Sequence, residues 1–312
     1  MKLLITGGVG FIGSSLALSL CNLNEIVLLD IRESNNGLKY YSGTNNLKYV
    51  KGDVNDGELL RNIFEQDQFD GIIHLAAVSR VVVAEKDPEL CLKTNIEGTK
   101  NLLKILSEQA GKKPWIIFGS SREVYGEPVN FPVKESDPRK HINIYGHTKI
   151  VGEDLCKDYG LENKCSCAIL RFSNVYGNRY DIMDRVLPKF IRSIAEEKEI
   201  TIEGGDQIID FTHIDDTVES IVRTIRYIEN SQVVEDFHVL PGIGWSLYQA
   251  VEFIENHLGK KAKIVVNSER KYDVQKFIGD PSKIKEKLSM LNLLGLEAGI
   301  EMAVKEYCGV YA

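Results

Sequence analysis

The glycines at positions 7, 8, 10 and 13 constrain this chain more than any other residues. They follow a short apolar run, residues 3–6, and precede a stretch of helical spacing at 14–22. A strand that turns on glycine straight into a helix must bring backbone very close to backbone. Gly7 permits the tight turn, Gly10 lets a bound group approach the main chain, and Gly13 lets the helix pack on the strand. The first helical amides then point at open space, where the helix dipole favours an anion.

The rest of the first half repeats that unit. Continuous apolar runs at 3–6, 25–30, 47–50, 71–76, 115–120 and 167–172 alternate with helical patterns at 58–65, 89–109 and 145–159. Uninterrupted apolar runs are what strands buried on both faces look like, and the alternation predicts βαβ units in a parallel sheet. The expected fold is α/β, a Rossmann-type doubly wound parallel sheet with a smaller α/β substrate-binding lobe. After about residue 174 the pattern weakens, and Pro188, Gly204, Gly205, Pro241 and Gly242 punctuate shorter elements. A helical pattern at 215–228 returns to the main sheet. The expected division is therefore 1–173 plus about 212–240 for the cofactor unit, with 174–211 and 241–312 forming the lobe.

Composition narrows the classes. Charged residues make up 27% of the 312 residues and the net charge is -7, without long basic tracts, so nucleic acid is not an expected partner. No apolar stretch has the length of a bilayer span, and the first residues lack the form of a signal peptide. The six cysteines have neither zinc-site nor disulfide-framework spacing. They read as reduced thiols in a cytoplasmic protein, and no metal site is expected.

The glycine turn in this context reads as a dinucleotide site. Asp30 ends the second strand 17 residues after Gly13, where a carboxylate accepts hydrogen bonds from a ribose diol and repels a 2′-phosphate, which favours NAD. Arg32 nearby suits a 2′-phosphate instead. Asp53 and Val54 follow the third strand, placed to contact the adenine edge, although Asp53 reads equally as a helix N-cap. Ala76 and Ala77 offer small side chains where backbone passes close to the cofactor.

Tyr145 and Lys149 stand four residues apart on one helix face. A lysine one turn from a tyrosine lowers the phenol pKa toward a usable base. Ser120 and Ser121 end the fifth strand, on the side where active sites of open α/β sheets lie. Ser121 either hydrogen-bonds a reacting oxygen beside Tyr145 or caps a turn. His147, inside the same helix, is either an exposed histidine or a titrating neighbour of the site.

Ordered landmarks give the chain a resemblance to the extended short-chain dehydrogenase/reductase family, specifically its nucleotide-sugar epimerases and dehydratases. They are TGGVGFIG at 6–13, HLAAV at 74–78, DPELCLKTNIEGTKNLL at 87–103, SSREVYGE at 120–127, YGHTK at 145–149, LRFSNVYG at 170–177, DFTHIDD at 210–216 and RKYDV at 270–274. The resemblance implies a catalytic set of Ser121, Tyr145 and Lys149, and an NAD reduced and reoxidised within one turnover. It adds Phe11, Ile12, Leu75, Asn95 and Phe172 to the cofactor residues. It also implies a nucleoside-diphosphate sugar held by Asn174 and Arg270, with Ser79 facing the same pocket.

Departures from the family pattern bear on the reaction. An arginine that usually precedes the Asp of the DFT stretch is Ile209 here, so that phosphate clamp is either missing or supplied elsewhere, by Arg179, Arg185 or Lys189. The Asp-Glu pair of the similar 4,6-dehydratases is Arg122-Glu123 here. The dehydratase base survives as Glu123, but a guanidinium is a poor proton donor. The expected function is 4-epimerisation of a UDP-hexose, with dehydration through Glu123, or decarboxylation of a nucleotide glucuronate, as alternatives. A non-catalytic nucleotide-binding scaffold is the reading from another class. A homodimer is expected through the 89–109 and 145–159 helices, whose Leu102, Leu103, Leu106, Val151 and Leu155 form either that interface or core.

Overall fold

The computed structural model describes residues 1–33 and 46–309. The first half runs β1 (Lys2–Thr6), α1 (Phe11–Leu20), β2 (Glu25–Asp30), β3 (Leu47–Lys51), α2 (Gly57–Gln66), β4 (Gly71–His74), α3 (Val81–Lys86), α4 (Pro88–Leu92), α5 (Gly98–Glu108), β5 (Trp115–Ser121), α6 (Ile144–Asn163) and β6 (Cys167–Phe172). The second half adds β7 (Asn174–Tyr176), α7 (Val186–Ala195), β8 (Glu199–Glu203), β9 (Ile208–His213), α8 (Ile214–Ile228), β10 (Val234–Val239), β11 (Gly244–Ser246), α9 (Leu247–Leu258), β12 (Lys263–Asn267), α10 (Ser282–Lys287) and α11 (Leu296–Cys308).

Seven strands form one sheet in the order β10-β6-β5-β4-β1-β2-β3, every pair parallel. This is the expected doubly wound sheet. Its strand order reverses between β1 and β4, and a crevice opens at the carboxyl ends of strands where that happens. Apolar layers fill both faces. Leu3, Ile5, Leu16 and Ile221 lie on one side, while Leu4, Ile63, Leu102 and Ile116 lie on the other. Leu102, Leu103 and Leu106 are buried in the chain's own core, and Leu155 packs against it half-buried. The core reading of those leucines is the one the structure supports.

Two smaller sheets lie beyond. β9 pairs with β7 in parallel and with β11 in antiparallel, and β12 pairs with β8 in parallel. Helices α7, α9 and α11 cover them around a third core that includes Phe190, Ile200, Phe211, Ile254 and Ile300.

Several predicted boundaries move for local reasons. The first helix begins at Phe11, not 14, because the glycine turn is already helical from that point. β4 stops at His74, so Ala76 and Ala77 lie in a loop. The Ala76 N–H leaves the ladder for the Thr6 hydroxyl, at 3.2 Å. The continuous helix expected at 89–109 is α4 and α5 joined by one π turn, Lys93–Glu97, which buries Asn95. Wide turns of this kind recur near functional sites.

A charged network locks α6 to the sheet. Arg171 on β6 grips Glu153 of α6 twice, at 2.8 and 2.7 Å, and reaches Asp236 of β10 at 3.0 Å. Ser120 donates to Glu153 at 2.6 Å. Lys157 and Lys283 also approach Asp236, at 3.2 and 3.1 Å. Burial opposes the charge on Asp236, yet Arg171, Lys157 and Lys283 together hold its carboxyl down at about 2. A depressed carboxyl contributes stability that is present above its unfolded value and lost as pH falls through the folded one. Asp236→Asn is therefore expected to lower stability at pH 7 by about 1–2 kcal/mol. The gap from the parent should close between about pH 4 and pH 2. Urea unfolding across that range checks it, and a gap independent of pH refutes it.

Candidate active site

The crevice at the β1/β4 reversal opens into a cavity of about 790 Å³. Its cofactor half is the glycine turn. Gly7 has a φ of +68°, and a Cβ there would meet the Ala76 nitrogen at 2.7 Å. A Cβ on Gly13 would lie 2.4 Å from the Gly7 carbonyl oxygen. Gly10 is the N-cap of α1, without a side-chain cap and without an acid in the first turn. Gly7, Gly10, Phe11, Ile12 and Gly13 all line the cavity, so an uncapped helix N-terminus faces it.

Asp30 is buried at the end of β2 and also lines the cavity. It accepts from the Val9 N–H at 3.0 Å, which ties β2 to the glycine turn. Arg32 folds onto the same carboxylate, with Nε and Nη2 at 3.2 and 3.1 Å. Asp30 thus engages the cation that the sequence suggested for a 2′-phosphate. Asp53 and Val54 line the cavity. Asp53 accepts from the Asn55 N–H at 2.9 Å, whereas the N-cap of α2 is Asp56. The N-cap reading of Asp53 is therefore corrected.

Leu75, Ala76, Ala77 and Ser79 form the wall between the two halves. A buried relay holds that wall. The Thr6 hydroxyl meets His74 Nδ1 at 2.6 Å, His74 Nε2 meets the Thr99 hydroxyl at 2.9 Å, and Thr99 donates to the Asn95 carbonyl at 2.7 Å. Burial pushes His74 down to about 3, so it stays neutral in this relay. Asn95 does not line the cavity. Its amide clamps Val78 from both sides, accepting from N–H at 2.7 Å and donating to C=O at 3.1 Å. Its place behind the wall follows from the π turn, which the sequence did not reveal.

The chemistry half gathers at the end of β5. Ser121, Glu123, Tyr145, Lys149, Phe172, Asn174 and Arg270 all line it. The Ser121 hydroxyl accepts from the Glu123 N–H at 3.2 Å and is hydrogen-bonded to the Tyr145 side chain. The capping reading of Ser121 is the one seen directly, and its place beside Tyr145 leaves it facing the cavity. Lys149 donates to the Gly119 carbonyl at 2.6 Å, with its ammonium 4.7 Å from the Phe118 ring centre and 5.7 Å from that of Tyr145. Burial lowers Lys149 to about 8. Burial also raises the Tyr145 pKa, against the pull of the Ser121 hydrogen bond. The expected depression joined Lys149 to the oxidised ring of NAD; among the protein's own groups desolvation dominates and the phenol is raised. His147 is outside the lining and faces His141, ring centres 5.0 Å apart, so it is not a neighbour of the site.

The side chains around the lobe also separate. Ile209 lines the cavity as part of the apolar lobe core. Arg185 and Lys189 line it too, Arg185 lying 3.4 Å from Asp181. Arg179 instead pairs with Glu306 at 3.0 Å, away from the lining. Arg270 lies 3.5 Å from Glu203 and 3.7 Å from Asp273. Sequence reading missed two contacts. Arg80 pairs with Asp184 at 2.8 Å, joining the loop after β4 to the loop before α7. Asn143 caps α6 by accepting from the Gly146 N–H at 2.8 Å, a role its position just before the helical pattern could have signalled.

A family model described as "NAD dependent epimerase/dehydratase family" matches residues 3–239. The chain belongs to that family. It is 28% identical over 322 residues to a UDP-glucose 4-epimerase of Bacillus subtilis (strain 168), covering 95% of this chain and 94% of that protein. The fold superposes with a TM-score of 0.91 on a UDP-glucuronic acid 4-epimerase from Bacillus cereus solved with UDP-glucuronic acid and NAD, at 26% identity and 100% coverage of both chains. The score is 0.89 for a UDP-glucose 4-epimerase from Thermotoga maritima solved with UDP-glucose, at 29% identity and 99% coverage of both.

NAD is this enzyme family's cofactor, and the residues present fit it. The uncapped α1 N-terminus suits a pyrophosphate, the buried Asp30 suits a ribose diol, and the glycines leave room for close approach. Among the described residues no cluster of His, Cys, Asp or Glu could hold a metal ion, and no helix is long and apolar enough to cross a membrane. Gly13→Ala tests the cradle. The added methyl meets only backbone, at the Gly7 oxygen and the Gly8 Cα, so nothing can move aside cheaply. The expected result is a loss of about 1–3 kcal/mol in stability together with weakened NAD retention. Thermal unfolding and cofactor content of the purified protein measure both, and unchanged retention refutes the assignment of this turn.

Proposed function

We propose that this protein is an NAD-dependent 4-epimerase of a nucleoside-diphosphate hexose, with UDP as the nucleotide. The single observation that carries the reading is the convergence of Ser121, Tyr145 and Lys149 on one cavity wall while both oxygens of Glu123 are engaged. Arg122 Nη2 lies 3.1 Å from Glu123 Oε1, and Asn143 Nδ2 donates to Oε2 at 2.7 Å. Those contacts occupy Glu123, which favours the phenol as the base.

Tyr145 takes the proton of the sugar 4-hydroxyl, with Ser121 donating to the same oxygen and Lys149 holding positive charge behind the phenolate. NAD, when bound, accepts and returns the C4 hydride and brings a cationic ring beside the phenol. Tyr145 later returns its proton to the keto oxygen once the sugar has turned its other face. Atoms and electrons balance without water or a second base.

Asn174, Arg270, Arg185 and Lys189 are the proposed diphosphate ligands, the last two standing in for the arginine absent at Ile209. Residues 1–173 and about 212–240 form the proposed cofactor unit. The six cysteines are unpaired, which supports a cytoplasmic setting. A homodimer is proposed on the family resemblance, with sedimentation as its test. UDP in place of dTDP rests on the relatives' names.

A panel of nucleotide sugars, incubated without added reductant and followed by proton NMR and mass spectrometry, decides the reaction. Unchanged mass with inverted C4 is expected. Loss of one water instead assigns dehydration with Glu123 as base. Tyr145→Phe should lower turnover by about 10²–10⁴-fold while NAD stays bound. Undiminished turnover in that variant overturns the mechanism.

A further inference from the structure

We infer that the Arg122–Glu123 pair is a positioning hub that sets the substrate-holding side chains against the catalytic helix. Arg122 lies in the one-turn helix Arg122–Val124 directly after β5, and both side chains of the pair are 9% exposed. Four site segments meet there. Arg122 Nε donates to Asn174 Oδ1 at 3.0 Å, reaching the start of β7. Glu123 accepts from Asn143, which caps α6 and donates as well to the Tyr272 carbonyl at 3.1 Å. Tyr272 is two residues from Arg270, and Tyr145 is two residues from Asn143.

The chemistry of the donors makes this arrangement directional. A guanidinium N–H can only donate, so the atom it meets on Asn174 must be the amide oxygen. The Asn174 amide is thereby held in one of its two flips, and its NH₂ end is the one left to a ligand oxygen in the cavity. Glu123 neutralises Arg122 and draws the α6 cap toward the same point. The first turn of α6 follows closely, since a Cβ on Gly146 would lie 2.4 Å from the Glu123 carbonyl oxygen. Arg122 and Glu123 are positioning residues: they act on the ligand through Asn174, Asn143 and the 270–274 segment.

This inference rests on the proposed site but can be tested apart from the proposed reaction, because UDP binding needs no turnover. Titration calorimetry of the NAD-loaded protein with UDP is the first readout. Arg122→Lys keeps the charge and loses the Nε donor. It should weaken UDP by about 10-fold, the loss of one hydrogen bond. In an Asn174→Ala background the same change should cost less than about 2-fold, since the partner is already gone. Full additivity of the two changes, or unaltered affinity in Arg122→Lys, overturns the hub. Glu123→Gln approaches from the other end and serves if Arg122→Lys does not fold. It should raise KM by about 3–10-fold and leave the pH profile of kcat unmoved. A turnover loss above about 10³-fold at constant KM makes Glu123 a proton-transfer group instead. If the parent binds UDP but converts no nucleotide sugar, the reaction proposal fails while the binding cycle still decides the hub.

Discussion

The seat of α6 on β5 is the contact on which the rest of the site depends. Gly152 makes it possible, because a Cβ there would lie 2.4 Å from the Phe118 ring. That close approach buries a lysine and a glutamate one turn apart on the same helix, Lys149 and Glu153. Each needs a partner, since an unpaired buried charge is costly. Glu153 has Arg171 and Ser120; Lys149 has the Gly119 carbonyl and the Phe118 face. Glu153 is firmly an anion that fixes the helix, whereas Lys149, lowered to about 8, is a cation held under tension beside the phenol.

Two networks therefore hold the same helix at different heights. Arg171 and Glu153 fix its middle to β6, and Asn143 with Glu123 fixes its start to the turn after β5. Tyr145 and Lys149 lie between those anchors. Segment 270–274 touches the upper anchor through the Tyr272 carbonyl, and the lower anchor is closed to it by Glu135, Asp236 and Tyr125 around Arg171.

Much of this was legible in sequence because some requirements admit few residues. The glycine turn, the buried Asp30, the four-residue spacing of Tyr145 and Lys149 and the hydroxyl at Ser121 each follow from a local rule, and each line the cavity as expected. Asn95 was readable as important but not as a clamp on Val78, since that depends on a π turn that no periodicity announces. The phenol pKa was less legible. Spacing shows that a cation is near, but desolvation is a property of the finished fold, and among the protein's own groups it raises the phenol. Arg122 stood out as a departure, and its meaning came only from its contacts with Glu123 and Asn174.

Arg122 also bears on the choice of reaction. A carboxylate beside a 4-keto sugar can remove the proton on the neighbouring carbon when one of its oxygens can reach it. Here an arginine takes one oxygen of Glu123 and an asparagine N–H takes the other. Proton abstraction by Glu123 would then compete with the Arg122 ion pair and the Asn143 hydrogen bond. On the proposed function, the contacts that hold Asn174 and segment 270–274 near α6 are the same ones that compete with water loss, so positioning and reaction choice would meet in this pair.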